Sequence, residues 1–242
     1  MGPNEEGRRT PDAGDAGPGV PGDGRSGPDG PAEPPAILIR TATDADAIAV
    51  ATLHVTQINQ GFLAFLGPGF LRRLYRRIVR TPSSFLLVAH SQGTIVGFIA
   101  GSTDVAGLYR SFLLRDGIPA GLQAAGPLIS GWRRVFETLR HGSSDGEGVG
   151  RGAEVLSMAV DPSCQGRGLG RTLMASYLDE LRNRGCHAAH VVIGTVNTGA
   201  IALHEQAGFV TVDRFELHSG SESLLMQWED QGPADPAGAG PP

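Results

Sequence analysis

Lysine is absent from this sequence of 242 residues, in which all 20 basic residues are arginine. The chain therefore has no side-chain amine for Schiff-base chemistry, and it lacks the lysine with which ATPase-type P-loops bind phosphate. Cysteine is scarce, since the sequence has only Cys164 and Cys186. They are too far apart for a CxxC redox or metal motif, and no second pair of Cys or His residues completes a zinc site. We therefore expect no metal cofactor.

Long apolar runs and a strong excess of one charge are missing as well. No run of 18 apolar residues is present, and the first residues lack the apolar segment of a secretory signal, so the cytoplasm is the expected location. The formal net charge is −5 for the whole chain and +1 for residues 36–229. Because a general nucleic-acid binder needs a strongly basic domain, we expect no nucleic-acid partner.

The two ends of the chain differ in composition from its middle. Residues 1–35 hold nine glycines and eight prolines but no aromatic residue, and residues 230–242 have a similar composition. Such segments bury too little apolar surface to offset the entropy of ordering, so we expect both to be disordered tails. One domain of ordinary size, residues 36–229, remains.

Hydrophobic spacing in the first half of the domain predicts a strand, two helices and a hairpin. A short β-branched run ends near residue 41, and Thr43 and Asp44 are possible caps of a first helix. A second helix, with arginines along one side, ends before Pro82. Ser91-Gln92-Gly93 then separates two apolar runs, as in a hairpin. The predicted buried stripes are Ile48, Leu53, Val55 and Ile58 in the first helix, and Phe70, Leu71, Leu74, Tyr75 and Ile78 in the second.

The second half alternates strands and helices after an interruption. Residues 104–152 contain two helix-like segments, "LYRSFLLRDG" and "LISGWRRVFETLRH", and form a predicted helical insertion. There follow the strand "AEVLSMAV", a glycine-rich loop, a helix from Leu169, the strand "HAAHVVIGTV", a short helix and a closing hairpin. This order predicts an α/β (α+β) domain whose mixed sheet of about six to seven strands has parallel and antiparallel neighbours.

The loop "CQGRGLGRTL" places three glycines within five positions, between a strand and a helix. Backbone amides at a helix start lack intrahelical partners, and the helix dipole adds positive charge there, so the natural ligand is a phosphate or pyrophosphate. The spacing fits neither the ATPase loop nor the G-x-G-x-x-G dinucleotide motif. A plain structural turn remains an alternative.

Two segments together resemble the GCN5-related N-acetyltransferase (GNAT) superfamily. Gln165–Gly170 reads Q-x-x-G-x-G after a strand ending "MAVDP", which is similar to the acetyl-coenzyme A signature of that family. "NTGAIALHEQAGF" is similar to the family's N-x-x-A-x-x-L-Y-E-K-x-G-F helix. The resemblance implies a V-shaped splay in the sheet, with acetyl-CoA as co-substrate. The binding residues that it implies are Met158, Ala159, Val160, Gln165, Gly166, Arg167, Gly168, Leu169, Gly170, Arg171 and Asn197.

The same resemblance suggests two catalytic residues. Glu154 lies eleven residues before Gln165, the offset at which some relatives place a glutamate base that works through water. His204 stands where the family usually has the tyrosine that protonates the leaving thiolate. The alternatives are a surface carboxylate and a packed histidine. Ser157, His54 and His190 are weaker candidates.

The acceptor is not specified beyond its class, a primary amine of a small molecule or a protein. The insertion, with Tyr109, Phe112, Leu113, Trp132 and Phe136, would form a lid, a homodimer surface or an extension of the core. Two other functions stay open. One is a non-catalytic acyl-CoA sensor, which the absence of the usual tyrosine favours. The other is a nucleotide-dependent enzyme of another class.

Overall fold

A computed structural model describes residues 36–58, 67–116, 152–217 and 221–232. Two 3₁₀ turns, Asp44–Asp46 and Pro162–Cys164, precede helices. The strands are β1 (Leu38–Thr41), β2 (Ser84–Ser91), β3 (Thr94–Ser102), β4 (Ala153–Val160), β5 (Ala188–Gly194), β6 (Val210–Leu217) and β7 (Ser221–Glu229). The helices are α1 (Ala47–Gln57), α2 (Gly67–Arg80), α3 (105–116), α4 (Leu169–Asn183) and α5 (Thr198–Gln206).

The strands form one seven-stranded sheet in the order β1-β2-β3-β4-β5-β7-β6. Every neighbouring pair is antiparallel except β4 and β5, which run parallel. The parallel pair needs a crossover, which α4 provides, whereas the antiparallel neighbours β2 and β3 are joined by a two-residue turn. The predicted mixed sheet is confirmed.

The sheet opens between β4 and β5. These strands pair only at Ala153 with Ala189 and at Glu154 with His190. Beyond that point β5 continues to pair with β7 as far as Gly194, while β4 follows β3 as far as Val160. The two halves of the sheet therefore diverge toward the carboxyl ends of β4 and β5, which confirms the expected V-shaped splay.

Helices cover both faces of the sheet. On one face α4 contributes Leu173, Tyr177 and Leu181 to a core cluster that includes Phe85 and Trp228. On the other face α1, α2 and α3 form a second cluster, centred on Leu71, Tyr75, Phe98, Leu108 and Phe112. Side chains of β4 belong to both clusters, so this strand, which borders the splay, contributes to the core on each face of the sheet.

The amphipathic pattern of α2 is confirmed, because its five predicted apolar residues are all buried. The arginine face is not wholly solvated, however. Arg77 is 8% exposed and forms an ion pair with Asp116, with Nη2 and Oδ2 2.6 Å apart. The physical reason is α3, which lies over this side of α2 and supplies the compensating carboxylate.

In α1 the predicted buried stripe is partly wrong. Ile48 is 55% exposed, whereas Ala47, Val50 and Ala51 are fully buried. Small side chains face the sheet and allow α1 to lie close to it, which turns Ile48 outward. Thr43 does form the predicted start signal, a capping box with Asp46.

Several other predictions have local outcomes. The β2–β3 turn is as predicted, with Gln92 at φ 47° and Gly93 at φ 84°.

Of the predicted insertion, 105–116 are helical and extend the core through Leu108 and Phe112, while 117–151, with Trp132 and Phe136, lie outside the described residues. The predicted tails also lie outside them, apart from 230–232. Asp230 is bonded through its amide to the carbonyl of His187 at 2.8 Å. No helix among the described residues has the length and apolar character needed to cross a membrane.

Candidate functional site

The glycine loop lies at the open end of the splay, between β4 and α4. Gly166 and Gly168 have φ values of 72° and 82°, in the left-handed region that favours glycine. A Cβ atom built on either glycine meets no other atom within 4 Å. The protein's own packing therefore does not require these glycines, and each leaves free space over the backbone.

The first turn of α4 offers backbone amides to that space. Gly168 is the N-cap, and the first intrahelical bond runs from the amide of Thr172 to the carbonyl of Gly168 at 3.0 Å. The amides of Leu169, Gly170 and Arg171 precede this bond, so they lack intrahelical acceptors. The helix has no acidic residue in its first turn, which leaves its dipole uncompensated there.

Side chains of the loop hold its shape. Gln165 donates from Nε2 to the carbonyl of Val160 at 2.9 Å, which ties the loop back to the end of β4. Asp161 accepts from the amide and the hydroxyl of Ser163 at 2.9 and 2.6 Å. Arg167 and Arg171 are exposed. Gln165 is thus a structural clamp of the loop, and the two arginines are available to an anion above it.

The edge of β4 that faces the splay has no partner strand beyond residue 154 among the described residues. The amide of Asp161 bonds to Val96 of β3 at 2.8 Å. Because amides of an extended strand alternate in direction, those of Val160 and Met158 point away from β3 and into the gap. Leu156 forms a bulge, since Ala100 pairs with Ser157 and Gly101 with Val155.

Glu154 lies at the apex of the splay, at the last position where β4 and β5 still pair. Its Oε2 atom is 3.7 Å from Nε2 of His190, and both side chains are largely buried, with 20% and 11% of their surfaces exposed. Ala153 and Val155 belong to the cluster under α4, so Glu154 faces the side of α1 and α2. A carboxylate and an imidazole therefore meet at the closed end of the cleft.

A hydrogen-bonded chain reaches β4 from the helices on that same face. Tyr75 of α2 bonds through its hydroxyl to Nδ1 of His54 at 2.6 Å and to Oγ of Ser157 at 2.9 Å. Burial lowers the pKa of His54 to about 4 and raises the pKa of Tyr75. Both groups are therefore neutral at pH 7, and Ser157 is the half-buried end of the chain.

Helix α5 carries the remaining two predicted site residues. Asn197 is its N-cap, and its Oδ1 accepts from the amide of Ala200 at 3.1 Å. His204 is 4% exposed, donates from Nδ1 to the carbonyl of Ala200 at 2.8 Å and contacts the ring of Phe209 edge-on. Burial lowers the pKa of His204, while the bond to Ala200 acts in the opposite direction. The ring is thus neutral, with its proton on Nδ1 and the lone pair on a buried Nε2.

The structure brings the loop, the edge of β4 and Glu154 to one cleft, whereas His204 bonds to the carbonyl of Ala200 and contacts the ring of Phe209. Sequence reasoning missed the role of Tyr75, which it assigned only to a buried stripe. The signal was the hydroxyl itself, because a tyrosine at the centre of an apolar stripe needs a buried hydrogen-bond partner. Chemically, the cleft combines helix amides without intrahelical acceptors at its mouth with strand amides along one wall and titratable side chains at its base.

Comparison with known proteins shows the family of the chain. The family model for the acetyltransferase (GNAT) family matches residues 55–209. The chain is 42% identical over 72 residues to a mycothiol acetyltransferase of Nocardiopsis dassonvillei, which is 30% of this chain and 21% of that protein. It is 44% identical over 57 residues to the ribosomal protein bS18-alanine N-acetyltransferase of Salmonella typhimurium, or 24% of this chain and 38% of that enzyme. These matches span well under half of either relative.

Solved structures share the fold at low sequence identity. The protein yncA of Salmonella typhimurium, solved with its cofactor acetyl-CoA, has a TM-score of 0.54 at 18% identity, over 84% of this chain and 98% of that one. The bS18-alanine N-acetyltransferase of Escherichia coli has a TM-score of 0.53 at 15% identity, over 83% and 98%. A GCN5-related N-acetyltransferase of Kribbella flavida has a TM-score of 0.54 at 18% identity, over 80% and 97%.

Proposed function

Because the chain belongs to the acetyltransferase (GNAT) family, we propose that it transfers the acetyl group of acetyl-CoA to a primary amine of a small molecule or a protein. The observation that carries this proposal is the open cradle at the start of α4. Gly166 and Gly168 leave free space beside the start of a helix in which three amides have no intrahelical acceptor. This is the arrangement that a pyrophosphate requires.

The cleft fits the other parts of acetyl-CoA as well. The amides of Val160 and Met158 face the gap and offer donors to the amide groups of the pantetheine arm, and Ala159 lies between them. Asn197 caps α5 with its oxygen and retains its NH₂ group as a further donor. When bound, acetyl-CoA supplies the electrophilic thioester. A strand amide that polarises its carbonyl contributes about 3 kcal/mol, the usual value for one oxyanion-hole donor.

Glu154 is the proposed general base. The acceptor must lose a proton as its nitrogen bonds to the acetyl carbon, and a carboxylate at the base of the cleft can take that proton directly or through one water. His190 lies beside Glu154, with its Nε2 atom 3.7 Å from Oε2 of the carboxylate. Glu154 faces the side of α1 and α2, so the acceptor enters from that side of the sheet.

His204 is the proposed proton donor to the leaving thiolate, and the structure defines what this role demands. The single N–H of the neutral ring, on Nδ1, is donated to the carbonyl of Ala200, so Nε2 must gain a proton before it can donate one. The lowered pKa makes that protonated form scarce at neutral pH. A thiol with an ordinary pKa near 8.5 is a tolerable leaving group without help, so we expect the step to depend only in part on His204.

The names of the relatives support an amine acceptor without identifying it. One acts on a ribosomal protein alanine and others are mycothiol acetyltransferases, but each match spans only a part of those proteins. A cytoplasmic location and a homodimer remain predictions.

The direct test is a calorimetric titration with acetyl-CoA followed by an assay of CoA release over a panel of primary amines. We expect micromolar binding and amine-dependent release with formation of the acetylated amine by mass spectrometry. Binding without turnover on any amine would indicate an acyl-CoA sensor. Absence of acetyl-CoA binding, together with tight binding of NAD or ATP, would replace the proposal with a nucleotide-dependent activity.

A further inference from the structure

Among the described residues, a chain of hydrogen bonds on the acceptor side of β4 is a buried polar cluster that the proposed chemistry does not use. It joins His54 of α1 and Tyr75 of α2, which are 2% and 1% exposed, to Ser157 of β4. Phe98 encloses the two inner groups, with its ring stacked on His54 at 6.3 Å and edge-to-face with Tyr75 at 5.3 Å between centroids. The hydroxyl of Tyr75 is therefore fixed in position by two helices and a strand.

Either member of the Tyr75–His54 pair can be the donor, depending on the tautomer of His54, and the chemistry of the two groups favours Tyr75. The contact between Tyr75 Oη and His54 Nδ1 is 2.6 Å, shorter than the usual range of about 2.7–3.2 Å for an N–H donor. A phenol is also a stronger donor than a neutral imidazole, whose bare nitrogen is a good acceptor. The favoured arrangement therefore has Tyr75 donating its single proton to His54, which is neutral because burial lowers its pKa. His54 then carries its own proton on the buried Nε2, which has no partner among the described residues.

In this arrangement the state of Ser157 follows from the number of protons available. Because Tyr75 donates its hydroxyl proton to His54, its oxygen can only accept across the 2.9 Å contact with Ser157, and the serine hydroxyl is the donor. Ser157 has no other proton, and its oxygen can present only lone pairs to a further partner. The serine is half-buried and lies next to the bulge of β4, three residues from Glu154 and on the same side of the sheet.

We infer that Ser157 holds the acceptor amine by accepting one of its N–H bonds, and that Tyr75 and His54 are positioning residues that keep Ser157 in this acceptor-only state. An amine held in this way has its lone pair free for the thioester, which is the orientation that the attack needs. A freely rotating serine would instead offer its own proton to the amine lone pair and block the attack. This inference rests on the proposed acetyltransferase function.

The first test measures the hydrogen-bond direction in the free protein, without acceptor or acetyl-CoA. Nitrogen-15 NMR of the histidine rings, with the His54 signals assigned from their loss in His54→Gln, reports which ring nitrogen carries the proton. We expect His54 to be protonated on Nε2 with a bare Nδ1. Protonation on Nδ1 would reverse the chain and overturn the inference, even if the protein is an active acetyltransferase.

The second test separates acceptor binding from the remaining chemistry by kinetics with the amine of the panel that the parent protein acetylates fastest. Ser157→Ala is expected to raise KM for that amine tenfold or more with little change in acetyl-CoA affinity, and Ser157→Thr, which keeps the hydroxyl, to restore most of it. Tyr75→Phe is expected to lower kcat/KM for the amine tenfold while the protein stays folded and binds acetyl-CoA. Unchanged amine KM in Ser157→Ala would refute the role of the serine.

A matched control is available on neighbouring strands. Ser84 donates to Ser102 at 2.9 Å, the same distance as the Tyr75–Ser157 contact, and both serines are buried. Ser84 lies on β2, which is separated from β4 by β3. Ser84→Ala therefore removes a comparable buried hydrogen bond and should reproduce any general loss of stability. An equal rise of amine KM in Ser84→Ala and Ser157→Ala would attribute the effect to stability and overturn the inference.

Discussion

The cradle at the start of α4 leads to a quantitative prediction about Gly168. Its φ of 82° costs an L-residue roughly 1–2 kcal/mol of folding free energy, as for any left-handed residue. A Cβ on Gly168 meets nothing within 4 Å in the rest of the protein, so alanine adds no further steric penalty, whereas β-branched valine tolerates this φ less well and adds more strain. Gly168→Ala and Gly168→Val should therefore fold, with melting temperatures lower by a few degrees.

The effect on acetyl-CoA should be much larger than the effect on folding. The added side chain occupies the free space above the amides of Leu169 and Gly170 and keeps the pyrophosphate away from them. Loss of one or two hydrogen bonds to a charged group, at about 1.5–3 kcal/mol each, weakens binding roughly 10-fold to more than 100-fold. Calorimetry measures the dissociation constant, and thermal unfolding measures the strain.

Gly185, at the far end of α4, provides the matched control. It has a φ of 69°, and a Cβ there also meets nothing within 4 Å. Gly185→Val should thus carry a similar strain and a similar drop in melting temperature, with unchanged affinity for acetyl-CoA. If Gly168→Val and Gly185→Val bind acetyl-CoA equally well, the cradle at α4 is not the pyrophosphate site.

Three further predictions concern titratable side chains. The pKa of His54 is about 4 in the folded protein and near 6.5 in the unfolded chain. The free energy of unfolding should therefore be constant above pH 6.5 and fall by roughly 2–3 kcal/mol as the pH drops from 6.5 to 4. Denaturant titrations should show this fall, and the fall should be smaller in His54→Gln. Glu154→Gln should lower kcat by about 100-fold or more with normal acetyl-CoA affinity, while Glu180→Gln, which removes a surface partner of Arg184, should not; a parent-like kcat in Glu154→Gln would exclude it as the base. If His204 protonates the thiolate, His204→Ala should lower kcat by up to about 100-fold, and His204→Tyr should restore part of the lost rate. A kcat of His204→Ala within a few-fold of the parent would show that His204 is only a core residue.

Local signals in the sequence were sufficient for most elements of the fold. The period of Phe70, Leu71, Leu74, Tyr75 and Ile78 predicted α2 and its buried face correctly, and Gln92-Gly93 predicted the hairpin turn. The helical stripe depends on apolar residues three or four positions apart, and the hairpin on two adjacent turn residues, so both can be recognised from the sequence alone. Ile48 was placed wrongly, because the rotation of α1 is decided by how closely its small residues approach the sheet.

The sequence by itself determined the strand-loop-helix unit with its positive-φ glycines, since a left-handed backbone favours glycine wherever it occurs in the chain. Only the tertiary structure decided what meets at the site. Glu154 and His190 are 36 positions apart and come together at the apex of the splay, and His54, Tyr75 and Ser157 form one hydrogen-bonded chain across two helices and a strand. Sequence spacing carries no information about such contacts, because they depend on the register of β4 with β5 and on the packing of α1 and α2 against the sheet.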